Sequence, residues 1–85
     1  MNTKKYSCPC CGYFTLEDEP GHFDICAVCG WEDDSIQSFN PDVAGGANRM
    51  SLNEARANYK RIGAIDKSFL KSVRPPTDEE ERGQN

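Results

Sequence analysis

The sequence predicts a small α+β protein that a bound metal ion holds together. Three observations support this fold class. The chain has 85 residues, of which 36% are hydrophobic and 28% charged, so its own core is marginal and a staple is expected. All five cysteines lie between residues 8 and 29, and the clearest helical pattern begins only after residue 50. We therefore expect a single domain over residues 1–76, with a metal-bearing part at 1–50 and a helical part at 51–76.

Four of the five cysteines form two C-x2-C pairs, in CPCCG (8–12) and CAVCG (26–30), separated by fourteen residues. Such a turn aims two sulfurs at one point while its backbone N–H groups donate to the thiolates. A glycine after the second cysteine supplies the positive φ with which the turn often ends. Two turns provide four sulfurs, which suits tetrahedral zinc with Zn–S bonds of about 2.3 Å. The predicted ligands of one structural Zn²⁺ ion are Cys8, Cys11, Cys26 and Cys29.

Other interpretations of the five thiols stay open. Four thiolates also suit a rubredoxin-like iron centre, although metal availability and the short spacer favour zinc. Cys10 is left over inside the first turn, and Cys8 with Cys10 is a second possible ligand pair. A spare thiol beside a metal site is either a reactive redox sensor or a structural cysteine. The negative charge of four bound thiolates discourages ionisation of Cys10, which favours the structural role.

Cellular location and membrane association are inferred from the same composition. An odd number of cysteines argues against a closed set of disulfides. The first ten residues hold two lysines but no apolar run, unlike a secretory signal, and no segment approaches eighteen apolar residues. We expect a cytoplasmic protein with reduced thiols and no membrane association.

The segment between the cysteine pairs predicts a zinc-ribbon or rubredoxin-like β-hairpin. Tyr13–Leu16 and Phe23–Cys26 have the character of strands, and the sequence EDEPG between them is typical of a turn. This hairpin would carry one cysteine turn, or zinc knuckle, at each end. Its apolar residues are expected to pack in the core, with Trp31 beside the metal. The expected core residues of the hairpin are Phe14, Leu16, Phe23 and Ile25.

Two features follow the second cysteine pair before the helices begin. Three consecutive carboxylates, Glu32 to Asp34, lack the alternating spacing of a calcium loop and are expected to form a solvated acidic loop. Residues 35–50 then predict a long irregular connection, because they include Asn40-Pro41 and Gly45-Gly46.

One long and one short α-helix are predicted after residue 50. Ser51 and Glu54 form a capping box, and Gly63 is a plausible C-terminal stop. A second helix is expected from about Lys67 to Val73, ending before two prolines. The acidic tail, 77–85, is expected to be disordered, or at most one loose helical turn. The residues expected to pack these helices against the ribbon are Leu52, Tyr59, Ile62, Phe69 and Leu70.

Charge is unevenly distributed along the chain. Residues 1–50 hold three Lys/Arg and eight Asp/Glu, a net of −5, whereas residues 51–76 hold six basic and two acidic residues, a net of +4. The basic residues either form a face for an anionic partner such as nucleic acid or neutralise the acidic ribbon and tail in solvent. The total charge of −4 favours the second interpretation. The basic residues are Arg56, Lys60, Arg61, Lys67, Lys71 and Arg74.

The motifs CPCCG, CAVCGWEDD, GGANRMSLNEARANY and FLKSVRPP together resemble the bacterial cysteine-rich CPCC family, from about Cys8 to Pro76. The resemblance implies a small zinc-ribbon-like protein and supplies no activity.

From the residues themselves, four sulfurs close the coordination sphere, and the only histidine is His22. The sequence therefore predicts a non-enzymatic zinc-binding protein that binds a protein partner. A nucleic-acid-binding ribbon and a redox protein are the alternatives.

Overall fold

The computed structural model describes residues 5–82, which contain two short strands, three α-helices and one 3-10 turn. The radius of gyration of the Cα atoms is 12.0 Å. No helix in this range combines the length and the apolar character needed to cross a membrane. In chain order the elements are β1 (Tyr6–Ser7), β2 (Phe14–Leu16), α1 (Ser35–Phe39), α2 (Leu52–Ile62), the 3-10 turn (Lys67–Phe69) and α3 (Asp78–Arg82).

The strands β1 and β2 form an antiparallel hairpin around the first cysteine turn. Tyr6 lies opposite Leu16 and Ser7 lies opposite Phe14, with an irregularity between the two pairs. The predicted strand at Tyr13–Leu16 is present as β2, but its predicted partner, Phe23–Cys26, is wrong. A C-x2-C-G turn reverses the chain by itself, so the nearest preceding residues pair with β2 at a small cost in loop-closure entropy.

Phe23–Cys26 belongs instead to a second reversal around the second cysteine turn. Ile25 forms an isolated antiparallel bridge with Glu32. Phe23 adopts φ of 60°, and its N–H donates to the carbonyl of Asp33 at 3.0 Å. The side chains of Phe23 and Ile25 are exposed, so their predicted place in the core is wrong. The segment pairs with residues of its own turn and not with β2.

The core surrounds the cysteines. Trp31 is completely buried, as expected for the largest apolar side chain. Leu16 from β2 and Leu52 from α2 are also buried, while Tyr59 and Phe69 are partly buried against the cluster. Leu70, which was expected to pack there, is exposed. The buried cluster consists of Cys8, Leu16, Cys26, Val28, Cys29, Trp31, Met50, Leu52, Ala55 and Ile65.

Helix α2 begins and ends where the capping residues predict. The hydroxyl of Ser51 accepts from the N–H of Glu54 at 3.1 Å. Gly63 has a left-handed conformation, and its N–H donates to the carbonyl of Tyr59. The second predicted helix, Lys67–Val73, is shorter than expected. Only the 3-10 turn forms, after which the backbone N–H of Arg74 donates to the carbonyl of Ala27 and the chain follows the second cysteine turn.

The predicted acidic loop is largely buried. Asp33 and Asp34 are 3% and 7% exposed. The carboxylate of Asp33 accepts from the N–H of Gly21 at 3.0 Å. One oxygen of Asp34 caps α1 through the N–H of Ile36 at 2.9 Å, and the other accepts from the N–H of Ala47 at 3.0 Å. These carboxylates can be buried because backbone N–H groups donate hydrogen bonds to them. A run of three consecutive acids in the sequence does not reveal those donors.

The long connection after α1 is fixed by a buried glutamine. Gln37 is fully buried, and its Nε2 donates to the carbonyls of Val43, Asn48 and Met50 at 3.0, 3.1 and 3.0 Å. Its Oε1 accepts from both the backbone N–H and the Nδ2 of Asn48, each at 3.0 Å. An irregular connection was predicted over residues 35–50; this is wrong for residues 35–39, which form α1, and confirmed for the remainder. Gln37 holds the path of that remainder together with Asp34, whose carboxylate accepts from the N–H of Ala47.

Part of the predicted disordered tail forms α3. Glu80 is mostly buried and makes a bidentate pair with Arg74, with both N–O distances 2.8 Å. The hydroxyl of Thr77 accepts from the N–H of Glu80, and the carboxylate of Glu80 accepts from the N–H of Thr77. This capping box stabilises the single helical turn that was the most the acidic composition allowed, so the expectation of disorder is wrong for residues 78–82. Residues 83–85 lie outside the described range.

Candidate metal centre

The two cysteine turns bring four sulfurs together. The Sγ atoms of the two C-x2-C pairs all lie within 4.8 Å of one another. Cys8 and Cys29, from different turns, are 3.6 Å apart, and Cys11 and Cys26 are 3.7 Å apart. All five cysteines are free, and the two quoted separations far exceed the S–S bond of about 2.05 Å. Spacing in the sequence had selected the same four residues.

The separations fit a tetrahedral ion. With a Zn–S bond of about 2.3 Å, the edge of a regular tetrahedron of sulfurs is about 3.8 Å. The Cys8–Cys29 and Cys11–Cys26 separations, 3.6 and 3.7 Å, are close to this edge. The other sulfur–sulfur separations are at most 4.8 Å. The donor set therefore fits a soft or borderline divalent metal.

The two turns are copies of one backbone motif, eighteen residues apart. In the first, the N–H of Cys8 donates to the carbonyl of Tyr13 and the N–H of Gly12 donates to that of Cys8, both at 2.8 Å. In the second turn, the N–H of Cys26 donates to the carbonyl of Trp31 and the N–H of Gly30 donates to that of Cys26, both at 2.9 Å. The sequence repeat C-x-x-C-G followed by an aromatic residue is the signal that could have revealed two local hairpins.

Backbone N–H groups point at three of the four sulfurs. The N–H of Cys10 donates to Cys8, that of Val28 to Cys26 and that of Trp31 to Cys29, each at 3.4 Å. Sulfur accepts at these longer distances, and N–H donation stabilises a thiolate. The arrangement therefore favours the ionised form that metals bind.

Thr15 adds a donor that the sequence analysis did not find. Its hydroxyl donates to the sulfur of Cys26 at 2.9 Å, and its side chain is buried. No spacing rule points to a threonine on β2, because the contact joins residues eleven positions apart. Thr15 makes Cys26 the most strongly hydrogen-bonded sulfur of the cluster.

The four thiols influence one another's ionisation. Hydrogen bonds from Cys11, then from Cys29 and Cys8, lower the pKa of Cys26. Hydrogen bonds with Cys10 and then Cys11 raise the pKa of Cys29. Each ionised sulfur makes the next harder to ionise, so four thiolates need a cation among them. A divalent ion would supply that charge.

The fifth thiol, Cys10, lies outside the four-sulfur cluster. It occupies the position in the first turn that Val28 occupies in the second. Val28 is completely buried, whereas Cys10 is partly exposed and packs against the edge of the core. Cys10 thus takes the place of an apolar side chain at the edge of the core, close enough to Cys29 for its thiol to raise the pKa of that residue.

The basic residues of the helical part are all exposed. Two of them make specific contacts. The Nε of Arg56 donates to the carbonyl of Pro9 at 3.0 Å, and Arg74 binds Glu80. Between residues 5 and 82 the other four, Lys60, Arg61, Lys67 and Lys71, make no ion pair.

His22 lies between the two cysteine turns. Its side chain is exposed, and Nδ1 lies 3.0 Å from the carbonyl of Glu19. It is not among the residues of the sulfur cluster.

A small hairpin fold with four clustered cysteines defines a cysteine-rich, metal-binding class of protein. The family model described as "Cysteine-rich CPCC" matches residues 6–80, so the chain belongs to the cysteine-rich CPCC family. The family resemblance in the sequence is therefore confirmed. Comparison with curated proteins gives no match.

Proposed function

We propose that this protein is a non-enzymatic, cytoplasmic zinc-binding module that binds a protein partner. The observation that supports it is the four-sulfur cluster, with all Sγ atoms within 4.8 Å. Three of the sulfurs are buried and receive backbone N–H donors. In a site of this kind the four sulfurs fill the coordination sphere of the metal, so the metal would cross-link the two turns.

The size of the core supports a structural role for the metal. The buried cluster has ten residues, three of which are cysteines that belong to the site itself. Burial of this little apolar area leaves a small domain marginally stable. In small zinc peptides, metal binding contributes on the order of 10 kcal/mol of apparent folding free energy.

An exposed apolar surface on α1 supports the binding of a protein partner. Phe39 is 85% exposed and Ile36, three residues earlier on the same helix, is 64% exposed. Val43, just beyond the helix, is also exposed. Large apolar side chains grouped at a surface are typical of sites that bind another molecule, rather than of surface that contacts only solvent.

Metal content of the natively purified protein tests the metal. We expect one zinc per chain by elemental mass spectrometry, and no red iron chromophore. Replacement of Cys29 by serine should abolish stoichiometric binding, while Cys10→Ser, the matched control, should retain one ion. Iron in place of zinc would support a rubredoxin-like redox protein instead.

Removal of the metal tests its structural role. A strong chelator at neutral pH should collapse the near-UV circular dichroism of Trp31, and added zinc should restore it. A metal-free chain that keeps the native spectrum would contradict the proposal, because the fold would then need no cross-link.

A nucleic-acid-binding ribbon is the second candidate function. Four cations of the helical part that make no ion pair within the described residues support it, since they are exposed and available to phosphates. Binding to a DNA or RNA oligonucleotide should weaken with salt and with neutralisation of Lys60, Arg61 and Lys71. An absence of binding at low salt would remove this candidate.

A further inference from the structure

We propose that Cys11 is the modification site of the metal centre, the sulfur that soft electrophiles attack first and through which the metal is released. This inference rests on the proposed zinc-binding function. It adds that the four predicted ligands are not equivalent, because Cys11 differs from the other three in exposure and in hydrogen bonding.

The first difference is exposure. Cys8, Cys26 and Cys29 are 1%, 1% and 0% exposed. Cys11 is partly exposed, at the edge of the cluster. An alkylating reagent must approach sulfur along the line of the bond that it will form, so Cys11 is the most accessible of the four predicted ligands.

The second difference is hydrogen bonding. Cys8, Cys26 and Cys29 each accept from a backbone N–H, and Cys26 also accepts from Thr15. Within residues 5–82, the sulfur of Cys11 accepts from no backbone N–H, and its hydrogen-bond neighbours are other thiols of the cluster, such as that of Cys26, 3.7 Å away. Donated hydrogen bonds hold electron density on a thiolate and stabilise it, so a thiolate without them is the better nucleophile.

The internal repeat shows where the asymmetry arises. Cys11 and Cys29 are equivalent positions of the two turns, and the N–H two residues after Cys29, that of Trp31, donates to it. The equivalent residue in the first turn is Tyr13, whose side chain is only partly buried. Trp31 is completely buried and fixes the second turn in the core. The first turn is therefore the looser of the two, and its second cysteine is the looser ligand.

The chemistry at Cys11 is a simple displacement. With iodoacetamide, the sulfur forms a bond to the methylene carbon while the carbon–iodine bond breaks and iodide leaves with the bonding electrons. The thiolate becomes a neutral thioether and no oxidant is needed. A site with three thiolates and one thioether holds a divalent ion less tightly, so one alkylation should release one metal ion.

The test uses the zinc-loaded Cys10→Ser variant, which keeps all four ligands and removes the spare thiol. Iodoacetamide is added at less than one equivalent. Peptide mapping locates the adduct, intact mass counts adducts per chain, and a chromogenic chelator measures released zinc. We expect singly modified chains, with Cys11 alkylated at least tenfold more than any other cysteine and about one zinc released per adduct.

Three outcomes would overturn the inference: first adducts spread evenly over the four cysteines, fully alkylated chains without a singly modified species, or alkylation of Cys11 with zinc retained. Fragment spectra of the wild-type protein distinguish Cys10 from Cys11 and provide a second measurement. Zinc content is determined before the reagent is added. A metal-free protein would refute the proposed function, whereas a zinc-loaded protein that reacts elsewhere would refute only the role of Cys11.

Discussion

Replacement of Gln37 by leucine should strongly destabilise the protein. Leucine has a similar volume, so the change removes hydrogen bonds without opening a large cavity. Gln37 donates to three backbone carbonyls and accepts two hydrogen bonds from Asn48, at 3.0 to 3.1 Å. It is completely buried, so water cannot replace these bonds in the folded state.

The expected loss is about 3–4 kcal/mol. The two Nε2 protons are shared among three carbonyls and Oε1 accepts two bonds, so the equivalent of four buried hydrogen bonds is lost, at about 1 kcal/mol net each. The Nδ2 of Asn48 retains its bond to the carbonyl of Glu32 at 2.8 Å, which reduces the loss. The change is a large part of the 5–15 kcal/mol by which small domains are stable.

Urea unfolding at pH 7, followed by Trp31 fluorescence, measures this loss. Free zinc must be held constant, because any ligand of the folded state shifts the apparent stability. Ile36→Gln is the control, since Ile36 is the preceding residue on α1 and is mostly exposed. The control should change stability by less than about 0.5 kcal/mol. A Gln37→Leu variant within 1 kcal/mol of wild type would refute the reasoning, because the connection would then be held by other contacts.

Two further predictions concern a glycine and an ion pair. Gly30→Ala should lower the free energy of unfolding in urea by about 2–3 kcal/mol, because φ is +95° and a Cβ would lie 3.1 Å from the ring of Phe69. The control Gly12→Ala should lower it by about 1 kcal/mol, because φ is +84° but no atom lies within 4 Å of the added Cβ. Equal losses would show that Phe69 moves aside freely. Arg74 lowers the pKa of Glu80 from 4.5 to about 2, so the carboxylate stabilises the fold above pH 4.5 and that contribution is lost as pH falls towards 2. Glu80→Gln should lower the free energy of unfolding by about 1–2 kcal/mol at pH 7 and by less at pH 4; this value is discounted because Arg74 is half exposed. A loss that does not depend on pH would contradict the stabilising role of the ionised Glu80 carboxylate.

Local interactions made part of this structure readable from the sequence. The two C-x2-C-G motifs placed four cysteines at a spacing that a pair of tight turns can bring together, and their sulfurs lie within 4.8 Å. Ser51 and Gly63 marked the ends of α2, because capping involves only residues three or four positions apart. The sequence by itself therefore determined the sulfur cluster and the long helix.

Contacts between distant residues decided the rest. The sequence offered Phe23–Cys26 as the partner of β2, and the structure pairs β2 with β1 because each cysteine turn closes its own hairpin. Hydrogen bonds across ten or more residues buried Asp34 and Gln37. Periodicity and propensity describe only neighbours along the chain, whereas the burial of a polar side chain depends on which distant backbone groups are left to satisfy it. Only the tertiary structure supplies those groups.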